Sequence, residues 1–329
     1  MIVRRLGRIT LAVVVATMLV GVGQAGAATN DIPSQTEIDK AVSALKSGAA
    51  HVVELKRESP AWYTPAVAER VHQQGVAAAP VDAPLPGEVG IRPGSMMISP
   101  FICTMNYIFQ SGSTLAIGTA GHCLEGNEPV VLLTVAPGGE NPVLVELGRT
   151  LLKRDGGIGH DYGLVEIPPN LHNFVFPTIA AVGGPCGVFT GGDPQPVAHY
   201  GHGLVVGTGG TPRVGMGIEL TGREFAGLDL EWDSDSIAWA GLLSPGDSGS
   251  PVRVGQLPAV SNLTHGIGVE DVPTPSPIGW GTRVTTVGWN LVSSPLCPPA
   301  SLSGDSGSDS GGSGKGGGKG KGKGKPKRS

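Results

Sequence analysis

The sequence predicts an all-β domain over residues 91–300. Glycine and proline account for 54 and 28 of the 329 residues, and only 15% of the residues are charged. Such frequent turn residues favour many short strands over long helices. Short apolar or alternating segments recur between the turns, and about 210 residues are enough for one all-β domain with a substantial core.

Residues 1–28 are predicted to be a signal peptide. The chain starts with basic residues, continues with an apolar run over residues 9–22, and then has the small residues Ala25, Gly26 and Ala27, which suit signal peptidase. The run is too short for a comfortable membrane span, and no other stretch is apolar enough for one. We therefore expect a secreted protein that is cut near Ala27 or Ala28.

Residues 29–90 differ in composition from residues 91–300. Ser34 and Glu37 fit a capping box, and apolar residues come after them at helical spacing. A second helical pattern runs over residues 65–71. Residues 77–86 are rich in alanine and proline and indicate a linker. This segment is either removed on maturation or stays attached as an N-terminal extension.

Strand-like segments occupy most of the chain after Ile91. The first half has five of them, over residues 101–110, 112–121, 130–135, 143–147 and 161–167. After a middle rich in proline and glycine, the second half has strand-like segments over residues 203–206, 217–220, 236–242, 259–269 and 281–284. Val284, Val287, Leu291 and Val292 then repeat at helical spacing and predict a short C-terminal helix.

Residues 301–329 form a low-complexity tail. It holds seven Lys or Arg and two Asp and contributes +5, whereas the whole chain carries −4, so the body is acidic. Without apolar side chains to offset its chain entropy, we expect the tail to be disordered. It lacks aromatic residues for stacking on nucleic acid bases. We expect it to contact anionic surfaces or only to aid solubility.

The motif Gly246-Asp247-Ser248-Gly249-Ser250-Pro251 has the features of a nucleophilic serine. A serine hydroxyl needs a base beside it and donors for the oxyanion that its attack creates. The glycines allow a tight turn that exposes the Ser248 hydroxyl and directs the amides of Gly246 and Ser248 to one point. The first five letters recur at residues 304–308, but there they lie in the Ser/Gly tail, with no strand-like segment after them.

Two further motifs supply partners for this serine. His122 comes after an apolar segment, and Asp161 begins an alternating strand. We therefore predict Ser248 as nucleophile, His122 as general base and then acid, and Asp161 as the group that orients the imidazole. His160 is an alternative base but lacks the motif TAGHC, which surrounds His122 at residues 119–123. The aspartates that we rank below Asp161, because none opens a comparable strand, are Asp155, Asp193 and Asp229.

The order of TAGHC, D-x-x-L-x-x-I and GDSGSP over residues 91–297 resembles the chymotrypsin-like serine protease family, most closely its secreted bacterial streptogrisin and α-lytic branch. The resemblance implies two antiparallel Greek-key β-barrels with the site between them, a short C-terminal helix, and a helical pro-segment over residues 29–90 that makes the chain a zymogen. It implies a monomeric endopeptidase that acts on proteins or peptides through an acyl-enzyme, without a cofactor. The rival hypotheses are a catalytically silent binding protein of the same fold and an esterase that uses the same triad.

Four cysteines in a chain with a secretory N-terminus favour two disulfides over four reduced cysteines. The sequence alone permits three pairings. The family resemblance implies Cys103–Cys123, which leaves Cys186–Cys297. The histidines are scattered, and no Cys or His pairing has zinc-like spacing, so we expect no metal site.

The resemblance also implies which residues contact substrate. Leu242, six places before Ser248, would form the base of the primary pocket, with Gly266 and Gly279 as its walls. Thr264 and His265 lie in the segment that would bind the substrate backbone as an added strand. With an apolar base and open walls, we expect cleavage after large apolar residues such as Leu, Phe, Tyr or Met.

Asp247 is left without a predicted partner. The chain has no Ile-Val-Gly-Gly start whose new amino group could pair with it after cleavage, so activation by such an ion pair is not expected. A buried carboxylate without partners would be costly. Another group must therefore bind Asp247.

Overall fold

The computed structural model describes residues 32–180, 182–191, 195–203, 213–220, 224–225, 234–254, 258–268 and 276–298. The predicted signal peptide and basic tail lie outside these residues, as does most of the strand predicted at residues 203–206. Within the described ranges, no helix is long and apolar enough to cross a membrane.

Two helices lie in the segment that precedes residue 91. Helix α1 is Gln35–Ser47, and helix α2 is Pro65–Gln74. Ser34 and Glu37 form the predicted capping box of α1, which satisfies amides that would otherwise lack partners. Both helices that the sequence patterns predict are therefore present.

Antiparallel strands make up most of the remaining structure. Those in the described residues are β1 His51–Glu54, β2 Arg57–Glu58, β3 Val76–Ala78, β4 Met96–Ser99, β5 Phe101–Thr104, β6 Ile108–Ser111, β7 Thr114–Thr119, β8 Val131–Val135, β9 Pro142–Glu146, β10 Thr150–Asp155, β11 Asp161–Ile167, β12 Pro196–Gly201, β13 Arg213–Leu220, β14 Ser236–Leu243, β15 Pro251–Val254, β16 Ala259–Asn262, β17 His265–Gly268, β18 Ser276–Thr282 and β19 Asn290–Leu291.

The first half of the protein contains two sheets around a common core. One sheet has the order β2-β5-β4-β8-β9-β3, and the other has the order β10-β11-β7-β6-β19. Side chains from both sheets meet in one buried cluster that includes Met97, Ile117, Leu132 and Val165. This shared core fixes β7, after which the chain turns to His122, and β11, which begins at Asp161.

The second half is one sheet with the order β1-β17-β18-β14-β13-β12-β15-β16. Along β14, Trp239 belongs to one buried apolar cluster, and its neighbours Ala238 and Ala240 belong to another. Successive side chains of a strand point to opposite faces, so both faces of this sheet are covered. The predicted fold class, all-β with two antiparallel barrels, is confirmed, but its C-terminal helix does not form in the described residues, and the assignment of residues 29–90 as a pro-segment stays a prediction.

Both predicted disulfides are present, Cys103–Cys123 and Cys186–Cys297. The first joins β5 to a 3₁₀ turn over Gly121–Cys123, which contains His122. A loop of about 20 residues closed in this way stabilises a fold by roughly 3 kcal/mol in the chain-entropy estimate. The bond therefore fixes the position of the histidine as well as stabilising the first half.

The strand predicted over residues 101–110 is in fact two strands, β5 and β6. The break falls at Asn106, whose Oδ1 accepts hydrogen bonds from the Tyr107 amide and the Tyr162 hydroxyl. On one side of the break β5 pairs with β4, and on the other β6 pairs with β7. The chain thus changes sheets at Asn106, a feature that an apolar run does not reveal.

The predicted C-terminal helix is wrong. Only one 3₁₀ turn forms, over Val284–Thr286, and the chain then leaves the helical conformation at Gly288, where φ is +76°. Asn290 and Leu291 instead pair with Gln110 and Phe109 as the edge strand β19. Pairing with a free sheet edge replaces the local helix that the apolar spacing favours.

The predicted linker over residues 77–86 is also partly wrong. Val76–Ala78 is strand β3, which pairs with β9, and Ala77 is buried. Ala77 packs in a strand that lies next to α2, whereas Ala78 is exposed. Residues 79–86 contain no strand, as predicted.

Candidate active site

Asp161, His122 and Ser248 lie together between the two halves of the protein. The Nδ1 atom of His122 is 2.5 Å from Oδ2 of Asp161, and its Nε2 atom is 2.8 Å from the Ser248 hydroxyl oxygen. All three side chains are buried. The structure thus connects the three residues predicted from the sequence motifs in the order carboxylate, imidazole, hydroxyl.

Backbone amides fix the orientation of the Asp161 carboxylate. Its Oδ1 atom accepts hydrogen bonds from the amides of Gly121, at 2.5 Å, and His122, at 3.1 Å. Only Oδ2 is then directed at the imidazole. Glycine is required at position 121 because a Cβ there would lie 1.7 Å from the carbonyl oxygen of Arg154.

Ser248 lies in a turn between β14 and β15 that depends on two glycines. Gly246 has φ +107° and Gly249 has φ +88°, a region that side-chain-bearing residues rarely adopt. The Ser248 carbonyl accepts a hydrogen bond from the Thr104 amide of β5 at 2.7 Å. A Cβ at Gly249 would lie 2.0 Å from the Thr104 carbonyl oxygen, so glycine permits this close approach between the two halves.

Asp247 is bound by two backbone amides and a hydroxyl. Its Oδ1 accepts from the Gly203 amide at 2.8 Å, and its Oδ2 accepts from the amide and hydroxyl of Ser244 at 3.0 and 3.4 Å. These donors satisfy a carboxylate that is fully buried. No sequence pattern predicts them, because Gly203 approaches Asp247 only in the folded chain.

The predicted oxyanion amides converge on a carbonyl of the protein itself. The amides of Gly246 and Ser248 both donate to the carbonyl oxygen of Leu55, at 2.5 and 3.3 Å. The Leu55 amide in turn donates to the carbonyl of Thr264 at 3.1 Å. Two donors at one oxygen are the arrangement that stabilises an oxyanion, and Leu55 occupies it here.

The segment around Leu55 crosses the whole site in an extended conformation. Before Leu55 in the chain, β1 pairs antiparallel with β17, with Val53 opposite Gly266. After Leu55, Arg57 of β2 pairs with Ile102 of β5. No motif in the sequence marks residues 51–58 as part of the site. They enter it through strand pairing between distant parts of the chain.

The Leu55 side chain fills an apolar pocket and is only 2% exposed. It belongs to the buried cluster that contains Leu243, Leu263 and Trp239. A Cβ at Gly266 would lie 3.0 Å from Cδ2 of Leu55, so the absent side chain at position 266 leaves room for the leucine. A Cβ at Gly279 would lie 2.1 Å from Cδ1 of Leu243.

Leu243 therefore takes the place in the pocket that was predicted for Leu242. The pairing of β14 with β18 shifts register between Ala240 and Leu243. Such an irregularity reverses the alternation of side chains, so Leu243 is buried with Leu55 while Leu242 is half-buried. A consecutive pair of leucines gives no sign of which one points inward.

Thr264 and His265 lie next to the triad. The Thr264 hydroxyl is 3.2 Å from the carbonyl oxygen of Trp280, to which it donates, and 2.8 Å from Nδ1 of His265. The His265 ring centroid is 5.8 Å from that of His122. Burial lowers the pKa of His265, Asp161 partly opposes this shift, and the nearby His122 adds to it. His265 is therefore held neutral at neutral pH.

The alternative base and the alternative aspartates considered from the sequence lie at other positions. The histidine that is hydrogen-bonded to Ser248 is His122, whereas His160 lies in the chain just before β11. Asp155 lies 3.8 Å from the ammonium of Lys153 at the surface. Asp193 and Asp229 fall outside the described residues. His122 also lies near Cys103 and Cys123, but that disulfide leaves neither sulfur as a thiolate ligand.

No protein-family profile and no curated protein matches this chain. Several solved structures do. The chain is similar to protease A of Thermobifida fusca, with 14% identity, 63% of this chain and 98% of that chain covered, and a TM-score of 0.37. It is similar to the protease Anisep of Arthrobacter nicotinovorans, with 16% identity, coverages of 59% and 92%, and a TM-score of 0.40. It is also similar to a glutamic acid-specific serine protease described as using a histidine triad in substrate binding, with 13% identity, coverages of 61% and 100%, and a TM-score of 0.42.

Proposed function

We propose that this protein is a serine endopeptidase. One observation carries the proposal: the hydroxyl of Ser248 is bonded to the imidazole of His122 while two amides of the same turn converge on the carbonyl oxygen of an extended peptide. A hydroxyl, a base and an oxyanion site around one carbonyl are the parts that acyl transfer needs.

Each group has a defined part in the proposed reaction. His122 takes the proton of Ser248 as the hydroxyl attacks the carbonyl carbon, and Asp161 holds the imidazole in the tautomer that can accept it. The amides of Gly246 and Ser248 stabilise the negative oxygen, and loss of one such donor costs roughly 3 kcal/mol of transition-state stabilisation. His122 then gives its proton to the leaving amine, and a water molecule releases the acyl group from Ser248.

The pocket around Leu55 favours leucine as the residue before the cleaved bond. The pocket is apolar, and Leu243 fills the space beside Gly279, which leaves less room for a broad aromatic ring than for a narrow aliphatic side chain. Leucine and methionine should therefore be preferred over phenylalanine and tyrosine. The preference should be moderate, since each methylene in an apolar pocket is worth about 1–3 kcal/mol.

We further propose that the enzyme works as a secreted monomer. The basic start, apolar run and small residues of positions 1–28 and the two disulfides support this location. The seven cationic side chains after Ser301 would add salt-sensitive attraction to anionic surfaces without taking part in catalysis.

Hydrolysis of a peptide series tests this function and its specificity. The substrates are quenched peptides that differ only in the residue before the scissile bond. We expect the secreted, matured protein to cleave them with kcat/KM highest for the peptide with leucine at that position. Peptides with lysine or aspartate at that position should be at least about 100-fold poorer, because a charge would be buried without a partner. Cleavage of none of the peptides, or a preference for lysine, would contradict the proposal.

A further inference from the structure

We propose that the Leu55–Lys56 peptide bond is a substrate of the enzyme that contains it, cleaved within the same molecule. Residues 56–90 would then remain as a structural part of the protease. The proposal rests on the proposed function, since it uses the same nucleophile. It moves the cut well before the boundary near residue 90 that the sequence composition suggests.

Three contacts place Leu55 in the position of the residue before a cleaved bond. Strand pairing sets Val53 opposite Gly266, the Leu55 amide donates to the Thr264 carbonyl, and the Leu55 carbonyl receives the amides of Gly246 and Ser248. An extended peptide that adds to a sheet edge in this way has its register fixed by the backbone bonds. The carbonyl in the oxyanion site is the one that the adjacent Ser248 hydroxyl would attack.

The chain also continues through the leaving-group side of the site. The Lys56 ammonium lies 3.1 Å from Glu54, 3.8 Å from Glu125 and 4.4 Å from the centre of the Phe101 ring, and it donates to the His122 carbonyl at 3.4 Å. Beyond it β2 pairs with β5. Both sides of the Leu55–Lys56 bond are therefore held, as the two halves of a substrate are held across a scissile bond.

The reaction balances with water as the only added reactant. The Ser248 oxygen bonds to the Leu55 carbonyl carbon as its proton passes to Nε2 of His122. The bond from that carbon to the Lys56 nitrogen breaks, and the nitrogen takes the proton and becomes a free α-amine. A water molecule, deprotonated by His122, then attacks the Leu55 ester, which yields a Leu55 carboxylate and restores the Ser248 hydroxyl.

Residues after the cut are built into the first half of the fold. Val71 of α2 and Ala77 of β3 belong to a buried cluster with Met96, Ile102 and Leu144 of the sheet. β3 forms the edge of that sheet through three paired positions with β9. Removal of residues 56–90 would expose this cluster, so the new chain that begins at Lys56 should keep them.

Once the bond is cut, residues before it are held only by packing and strand pairing. Helix α1 packs through Ile38, Val42 and Leu45 on the cluster that contains Trp280. The fragment that ends at Leu55 would therefore stay in the cleft as a bound product at first. In the wild-type chain, activity toward other peptides should appear with the release of this fragment, after the cut itself.

The test compares full-length chains of wild type, Ser248→Ala, Leu55→Asp and Leu55→Met. N-terminal sequencing and intact mass over time should show a chain that begins at Lys56 and a fragment that ends at Leu55 in wild type, and the same cut after position 55 in Leu55→Met. Ser248→Ala should show neither product. Leu55→Asp should show neither, because its carboxylate would be buried in the pocket without a partner. The matched control Leu85→Asp, which changes a leucine that is 68% exposed, should be cut like wild type.

The outcomes separate this proposal from the proposed function. An intact Leu55–Lys56 bond in wild type, alongside hydrolysis of leucyl peptides by Leu55→Asp, would overturn self-cleavage and leave the function standing. Cleavage of Ser248→Ala at the same bond would assign the cut to another protease. Cleavage within one molecule has a rate constant that does not depend on protein concentration. If the observed rate constant for cleavage falls in proportion as the protein is diluted, cleavage within one molecule is overturned. If no variant hydrolyses peptides or labels with a fluorophosphonate at Ser248, the proposed function fails as well.

Discussion

Replacement of Ser248 by alanine is expected to lower kcat/KM for a leucyl peptide by about 10⁵- to 10⁶-fold. The variant loses the hydroxyl that is hydrogen-bonded to His122 Nε2, while the backbone amides at positions 246 and 248 keep their places. Those amides and substrate binding should leave a residual rate about 10³-fold above that in water. Initial rates with a quenched leucyl peptide measure the loss.

The matched control for this variant is Ser306→Ala. Ser306 is the serine of the second Gly-Asp-Ser-Gly-Ser sequence, in the tail. Both variants are best made in chains that carry Leu55→Asp, because an aspartate that cannot be buried in the apolar pocket should leave the cleft accessible to peptides even though the bond to Lys56 stays intact. Equal activity in Ser248→Ala and Ser306→Ala would contradict the assignment of the nucleophile, as would a loss confined to Ser306→Ala.

Replacement of Asp161 by asparagine is expected to lower kcat by about 10⁴-fold with little change in KM. The amides of Gly121 and His122 both donate to Oδ1, so the asparagine oxygen must take that place. Its NH₂ group then faces His122 Nδ1 and donates to it. This donation puts the imidazole proton on Nε2, and an Nε2 that already carries a proton cannot accept one from Ser248.

Asp155→Asn is the matched control for the aspartate. Asp155 lies at the end of β10, opposite Asp161 in the strand pairing, but its carboxylate is near Lys153 at the surface. Its replacement should change kcat by less than about twofold, since exposed ion pairs contribute little. Steady-state kinetics of both variants, with circular dichroism to verify folding, decide the question. A similar loss in both variants would assign the effect to the loop rather than to the Asp161 carboxylate.

The sequence predicts those parts of the site that local pattern determines. His122, Asp161 and Ser248 each lie in a short motif whose residue types are needed for the local turn or strand, such as the glycines at 246 and 249. The division of the fold into two β-rich halves is predictable in the same way, from the alternation of strand-like segments with glycine and proline turns. These features depend on neighbours within a few positions along the chain.

The remaining features depend on contacts between distant segments. Leu55 reaches the oxyanion site because β1 pairs with β17, more than 200 residues away. Leu243 rather than Leu242 enters the pocket because of an irregular register with β18. The partners of Asp247 are set by the approach of Gly203. None of these contacts leaves a periodic or compositional signal in a single sequence.

The central claim is that Ser248 is an activated nucleophile, and covalent labelling tests it most directly. A fluorophosphonate reacts with a serine hydroxyl only where a base and an oxyanion site activate it. The probe is applied to the matured protein and to the Leu55→Asp chain, and the labelled residue is then identified by peptide mapping. We predict one adduct per molecule, on Ser248, that is lost in Asp161→Asn. Absence of an adduct from both chains, or an adduct on another serine, would contradict the claim.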